Sequence, residues 1–278
     1  GDIDADGGTA SLGGIVGIGG TIVLNTLLNN VKAAISGSTV TAGGNGTGKA
    51  ATRWSRKANE SGWEDDRLQE TVQYVKGVAV IAAADEELDS AFASASVGFV
   101  GLAVNKAVNL IGDTVAAKIT DSTITEPLIG AGGVFVRAGQ VTAVNNQGGA
   151  AGVYGLGVVG GFDTTIIDTA VTASISNTTD IKSVQAGSRG VEVSAWSQEY
   201  VFSRTGSAAA NLVGAAGAVS AVSISGDTKA FIKEADITTE TGGIAVTAQD
   251  IAVVTVNAGA LSASLIAGAG GSVDYVSI

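Results

Sequence analysis

The side chains of this protein able to do polar chemistry are few and unevenly placed. Histidine and cysteine are absent, which removes the usual ligands of zinc and haem, the bases of nucleophilic triads and all disulfides. Carboxylates remain. Asp2-Ile3-Asp4-Ala5-Asp6-Gly7 has the alternation that opens a calcium loop, but such a loop closes on a bidentate Glu at its twelfth position. Gly13 stands there, so the preferred reading is alternating Asp on the solvent side of a strand, with no metal or other cofactor expected. Polysaccharide cleavage by clustered acids would draw on Asp163 and Asp168, or on Asp85-Glu86-Glu87 with Asp89. A charge run is ordinarily a solvated corner, and no enzyme activity is expected.

Aromatic and basic residues concentrate between Asn45 and Tyr74, in NGTGKAATRWSRKANESGWEDDRLQETVQY. Arg53, Trp54, Arg56, Lys57, Trp63 and Arg67 are the candidate binding residues, because loops on a rigid scaffold carry recognition and Trp and Arg are favoured anchors. The competing reading is a decorating loop or short helix whose rings cover the scaffold's side. Three sequons, at Asn45, Asn59 and Asn177, leave glycosylation open.

The elements that position these groups follow from an internal repeat, the first thing to seek in a sequence rich in small residues. The pattern [VT]-x-A-x-I recurs at Ile35, Ile119, Ile175 and Ile232, with spacings of 84, 56 and 57. A second phrase, G-[VI]-x-V-x-A, ends at Ala82, Ala138, Ala195 and Ala248, and from each of the first three to the next repeated Ile the distance is 37. The interval from Ile to the following Ala is 47, 19, 20 and 16. The first of these accommodates the insertion.

Within each phrase apolar residues alternate, Val115, Ala117 and Ile119 against Ala116 and Lys118, which is the period of a strand and not of a helix. Short strands separated by Gly, Asn, Asp and Ser corners indicate an all-β, parallel β-solenoid. The distances 37 and 19 divide the repeat into three turns of about 19 residues, which over the chain makes roughly 13 turns and a rod of about 60 Å at the inter-strand spacing. The expected organisation is a single solenoid over 1–278, a partial repeat over 1–30 and repeats over 31–113, 114–169, 170–227 and 228–278, with an inserted loop at 45–74. The third turn of each unit is rich in Gly and Ala, as in Gly152 to Gly161. A narrow cross-section accounts for that, and so would a flat face on which another copy or sheet lies.

Other classes recede. Fifteen basic against 26 acidic residues give a net charge of −11, which repels a phosphate backbone and excludes nucleic acid as a general partner. Thr205 to Gly226 is uncharged and long enough to span a bilayer, yet its counterparts carry Lys106, Asp163 and Asp274, so no membrane span is expected. Gly1 falls just after the position of a further G-[VI]-x-V-x-A phrase, and Ile278 precedes the next repeated Ile, so a segment of a longer rod, or a unit stacking end to end, is the expectation.

V-x-A-x-I-x-x-S-x-V-T-A-G-G, followed by G-V-x-V-x-A and a Gly/Ala strand, resembles the repeats of very large secreted adhesins of Gram-negative bacteria. The resemblance is to leukotoxin-like filamentous adhesins and, more loosely, to filamentous-haemagglutinin-type proteins, and it covers the chain outside the insertion. It implies a right-handed parallel β-helix, export through the outer membrane, an extracellular or cell-surface location and a role in adhesion or cell-to-cell contact. The expected function is a structural shaft. Its expected partners are itself, by end-to-end stacking or as part of a longer chain, and an unknown cell-surface receptor or glycan. The alternatives from other classes are a polysaccharide-active β-helix enzyme and a pore-forming or membrane-inserting protein.

Overall fold

A computed structural model describes residues 2–42, 49–56, 68–125, 132–178, 180–183, 190–239 and 242–278. Every element among them is a strand: β1 (Asp2–Leu12), β2 (Val16–Ser36), β3 (Thr39–Thr41), β4 (Lys49–Arg56), β5 (Leu68–Val75), β6 (Val78–Thr120), β7 (Thr123–Thr125), β8 (Val134–Ser176), β9 (Asp180–Ser183), β10 (Val191–Lys233), β11 (Ile237–Thr239) and β12 (Ile244–Ser277). Three of them, β6, β8 and β10, run for 43 residues. A straight strand of that length would reach about 140 Å at the usual rise. Each instead doubles back on itself, because Asn146 reaches across to Asp163 and Thr165 of the same strand, the last at 2.8 Å.

The pairing is parallel and runs from one long strand to the next in the order β1-β6-β8-β10-β12, with β2 also on β6. Val78 lies opposite Val134, and Val134 opposite Val191. The pairing period is therefore the whole repeat, 56 and then 57 residues, and not the 19 read from the spacings. The distance 37 separates two limbs of one layer: Ala138 on the outgoing limb and Ile175 on the returning limb are buried in the same cluster. The shorter distance runs from the returning limb through a short strand to the next layer. Five layers result, so the stack spans only about 20 Å at the inter-strand spacing, not the rod of 13 turns.

The short strands form a sheet of their own, in the order β11-β9-β7-β3, which closes a third side of the interior. Ile124 and Ile181 from that side meet Ile119 and Ile175 from the returning limb and Val134 and Val136 from the outgoing limb, all fully buried. The corner into this side is left-handed in four successive layers, at Gly37, Asp121, Asn177 and Glu234, with φ between 50° and 57°. Gly, Asn and Asp tolerate that conformation. Their amides bond layer to layer, Gly37 to the Thr120 carbonyl at 3.1 Å and Asn177 to that of Lys233 at 3.1 Å.

At the opposite end the limbs converge and the pairing register lapses at Phe99, Gly155 and Leu212. The Gly/Ala stretches are this bend, not a separate turn. Side chains must be small there because a ring already occupies the space: a Cβ on Gly101, Gly152 or Gly157 would lie 1.8, 2.3 or 1.9 Å from Tyr154. Thr205 to Gly226, long enough for a bilayer, lies within β10 and continues the same ladder. No helix of the described residues is long and apolar enough to cross a membrane.

Candidate functional site

The insertion that carries the candidate binding residues is an antiparallel hairpin, β4 against β5, with Arg53 opposite Thr71, Trp54 opposite Glu70 and Arg56 opposite Leu68. Lys57, Trp63 and Arg67 lie outside the described residues. The hairpin's root is anchored: Val75 is buried and packs with Phe135 and Ile81 on the outer face of the outgoing limbs. That face is buried on β8 and β10, where Arg137 is bonded to Glu192 at 3.1 Å and lies 4.9 Å from the Phe135 ring centre.

The acids considered for catalysis are separated by the pleat. Glu86 points into the interior and is buried, whereas Asp85 and Glu87 face out. Asp163 is buried on the inner side. Asp168 stands on the outer side, where Ser225 donates to it at 3.3 Å. These acids share no cleft, and no group of three acids able to hold a metal occurs among the described residues. Asp4 and Asp6 are exposed on β1 with Ile3 and Ala5 between them, the alternation expected of a strand.

Asp163 is held by Ser203, by Asn146 at 3.3 Å and by Ser220 at 3.5 Å. Burial pushes its carboxyl up to about 6, against the opposing pull of those bonds. It belongs to a polar band that also contains Ser90, paired with Asn146, and Asn25, whose amide donates to Asn109 at 2.8 Å. Single-residue motifs did not disclose these bands. The signal was available in the register: polar residues recur at inward positions one repeat apart, as Asp163 and Ser220 do.

No family model, curated protein or solved structure matches the chain.

Two surface features remain. A groove of about 1010 Å³ crosses the layers where outward positions are Gly or Ala, among them Ala93, Gly149, Gly206 and Gly259. The second feature is the pair of stack ends. β12 is outermost at one end and β1 with β2 at the other, so their far edges have no strand partner among the described residues. Ile18, Ile22, Leu24 and Leu28 are exposed on β2, and Val246, Leu261, Leu265 and Val273 on β12. Edges that are long, apolar and unpaired are templates for a further strand.

Proposed function

We propose that this chain is a segment of the shaft of an extracellular bacterial adhesin or surface filament, a stiff spacer for attachment or cell-to-cell contact. One observation carries the reading: each layer repeats its predecessor in parallel register, and both outer layers offer an apolar edge on which the pattern continues. Backbone ladders between layers and stacked Ile, Val and Ala rows resist bending because each inner layer is held by its two neighbours. The coil is right-handed, the hand that parallel β connections take in nearly all proteins. A second copy stacks on these edges, and the β4–β5 hairpin, which carries Arg53, Trp54 and Arg56 in its sequence, is the element offered to a receptor or glycan. Catalysis is not part of this reading, since Asp85, Glu87 and Asp168 face out while Glu86 and Asp163 are buried inside, and no cleft brings them together.

Two experiments test it. Antibodies raised against the chain should label intact cells of its source, and labelling that requires permeabilised cells would overturn the surface location. Electron microscopy of the purified chain should show filaments thickened by neither branching nor lateral fusion. Separate short particles at all concentrations would exclude stacking of copies.

A membrane-inserting role is the second reading, favoured by the outer face of the returning limbs, where Leu24, Leu102, Val158 and Phe162 are exposed in neighbouring layers. Co-flotation of the chain with neutral lipid vesicles would support it, and recovery only in the dense fraction would remove it.

A further inference from the structure

The interior holds a second polar band, nearer the three-sided end, and it is richer in acid than a buried band can be if every acid is ionised. Its members come from three inward rows that the register aligns: Asn29, Asp113 and Thr169; Glu86, Thr142 and Glu199; Gln140, Ser197 and Asp250. No lysine or arginine occupies these rows.

The band is one connected file through the layers. Asn29 Nδ2 donates to Glu86 Oε1. Asn29 also stands opposite Asp113 in the ladder, so the two buried acids flank one amide, and contact with Glu86 raises the Asp113 carboxyl; Gln140 Nε2 of the next layer donates to Asp113 Oδ2 at 2.9 Å. Gln140 in turn accepts from Ser197 Oγ at 3.3 Å, and that hydroxyl lies against Glu199 Oε1, which also accepts from Thr169 at 3.3 Å. At the end layer the file reaches the surface, where Asp250, which raises Glu199, is exposed and accepts from Thr228 Oγ1 at 3.3 Å.

Amides and hydroxyls thus supply a donor to one oxygen of Glu86, Asp113 and Glu199 and leave the other bare. Glu86 Oε2, Asp113 Oδ1 and Glu199 Oε2 are buried with no hydrogen-bond partner, and Glu86, Asp113 and Glu199 are each at most 3% exposed. A buried acceptor without a donor is costly, and two ionised carboxylates in contact without a cation are costlier still. One proton placed between the two carboxyls of a pair answers both problems, since it is a donor and it cancels one charge.

We propose that Glu86 and Asp113, both buried within β6, hold a shared proton in the folded stack, making the interior a pH-sensitive lock that grips the two limbs of that layer in acid and loosens as the surroundings turn alkaline. On both Asp113 and Glu199, burial and the neighbouring acid act in the same direction. Burial raises the Asp113 carboxyl, and contact with Glu86 raises it further, against the backbone amide of Asn29. Burial likewise raises Glu199, with Asp250 adding to the effect and the hydroxyls of Ser197 and Thr169 opposing it. For an acid held up in the folded state, the stabilisation is complete below the unfolded carboxylate value and is lost as the pH climbs through the folded one.

Urea unfolding of the whole chain, followed by circular dichroism from about pH 5 to about pH 9, reads the lock directly. The midpoint should fall steadily across that range. Asp113→Asn keeps the shape and cannot ionise, so its midpoint should fall less, with the wild type losing its advantage at the alkaline end. A flat wild-type profile, or an Asp113→Asn profile parallel to it, overturns the proposal. Infrared spectroscopy of the folded wild type needs no variant: a protonated carboxyl C=O band should persist at about pH 7.5, above the range of exposed acids. Its absence there overturns the proposal as well.

Discussion

The ring of Tyr154 occupies the space that a side chain at Gly101 would need, with a Cβ there only 1.8 Å from Cε1 of the ring. The two residues belong to neighbouring layers, so the bend of one layer is moulded by an aromatic ring of the next. Gly101→Ala should therefore destabilise by about 1–3 kcal/mol, the usual cost of overpacking. Combining it with Tyr154→Ala should cost less than the sum of the two single changes when urea unfolding is measured for all four proteins. Strict additivity would show that ring and glycine do not compete for space.

Ile175 lies between Ile119 and Ile232 in the stacked rows and is fully buried. Truncation to Ala should cost about 2–5 kcal/mol in urea unfolding. Ile166, exposed on the outer face of the same limb, should lose only about 0.5 kcal/mol on the same change. Equal costs would contradict the assignment of inner and outer faces.

Glu234 takes the left-handed corner that Gly37, Asp121 and Asn177 take in the other layers, with φ of 52°. A long side chain with no local bond to the backbone is poorly suited to that conformation, which costs roughly 1–2 kcal/mol for an ordinary L-residue. Glu234→Gly should raise the thermal midpoint, while Gly37→Glu should lower it. A fall with Glu234→Gly would mean that the carboxylate does more for this corner than the backbone strain costs.

Asp163 titrates at about 6 in the folded protein because it is buried, above its ordinary value of 3.8. Its folded value is the higher one, so its contribution is greatest below the unfolded value and is lost as the pH rises from about 4 to about 6, a difference of roughly 3 kcal/mol. Asp163→Asn should flatten the stability profile in that acid window and leave the alkaline slope of the Glu86/Asp113 pair unchanged. An unaltered acid window would show that Asp163 is ionised when folded.

How legible the fold was depends on the distance over which the relevant contact acts. The alternation around Ile119 and the equality of Ala82 to Ile119 with Ala138 to Ile175 identified parallel strands and aligned like with like, because side-chain period and repeat length are written along the chain. The meaning of 37 and 19 was not legible. Both are lengths of chain within one layer, and a spacing alone does not say whether it ends at a neighbour above or at a wall opposite. The insertion stood out by composition around Trp54 and Arg56, while its form as a hairpin did not, since few of its residues alternate cleanly.

The buried acids show where the division lies. From sequence alone, Asp85-Glu86-Glu87 and Asp163 are ordinary charges, and their types and positions determine strand, repeat and net charge. Only the stacked structure turns Glu86 inward beside Asp113 and brings Asn146 and Ser203 to Asp163. The reason is physical: a carboxyl's protonation depends on the water it has lost and the groups it meets, and both are set by residues tens of positions away that only the closed layers bring within bonding distance.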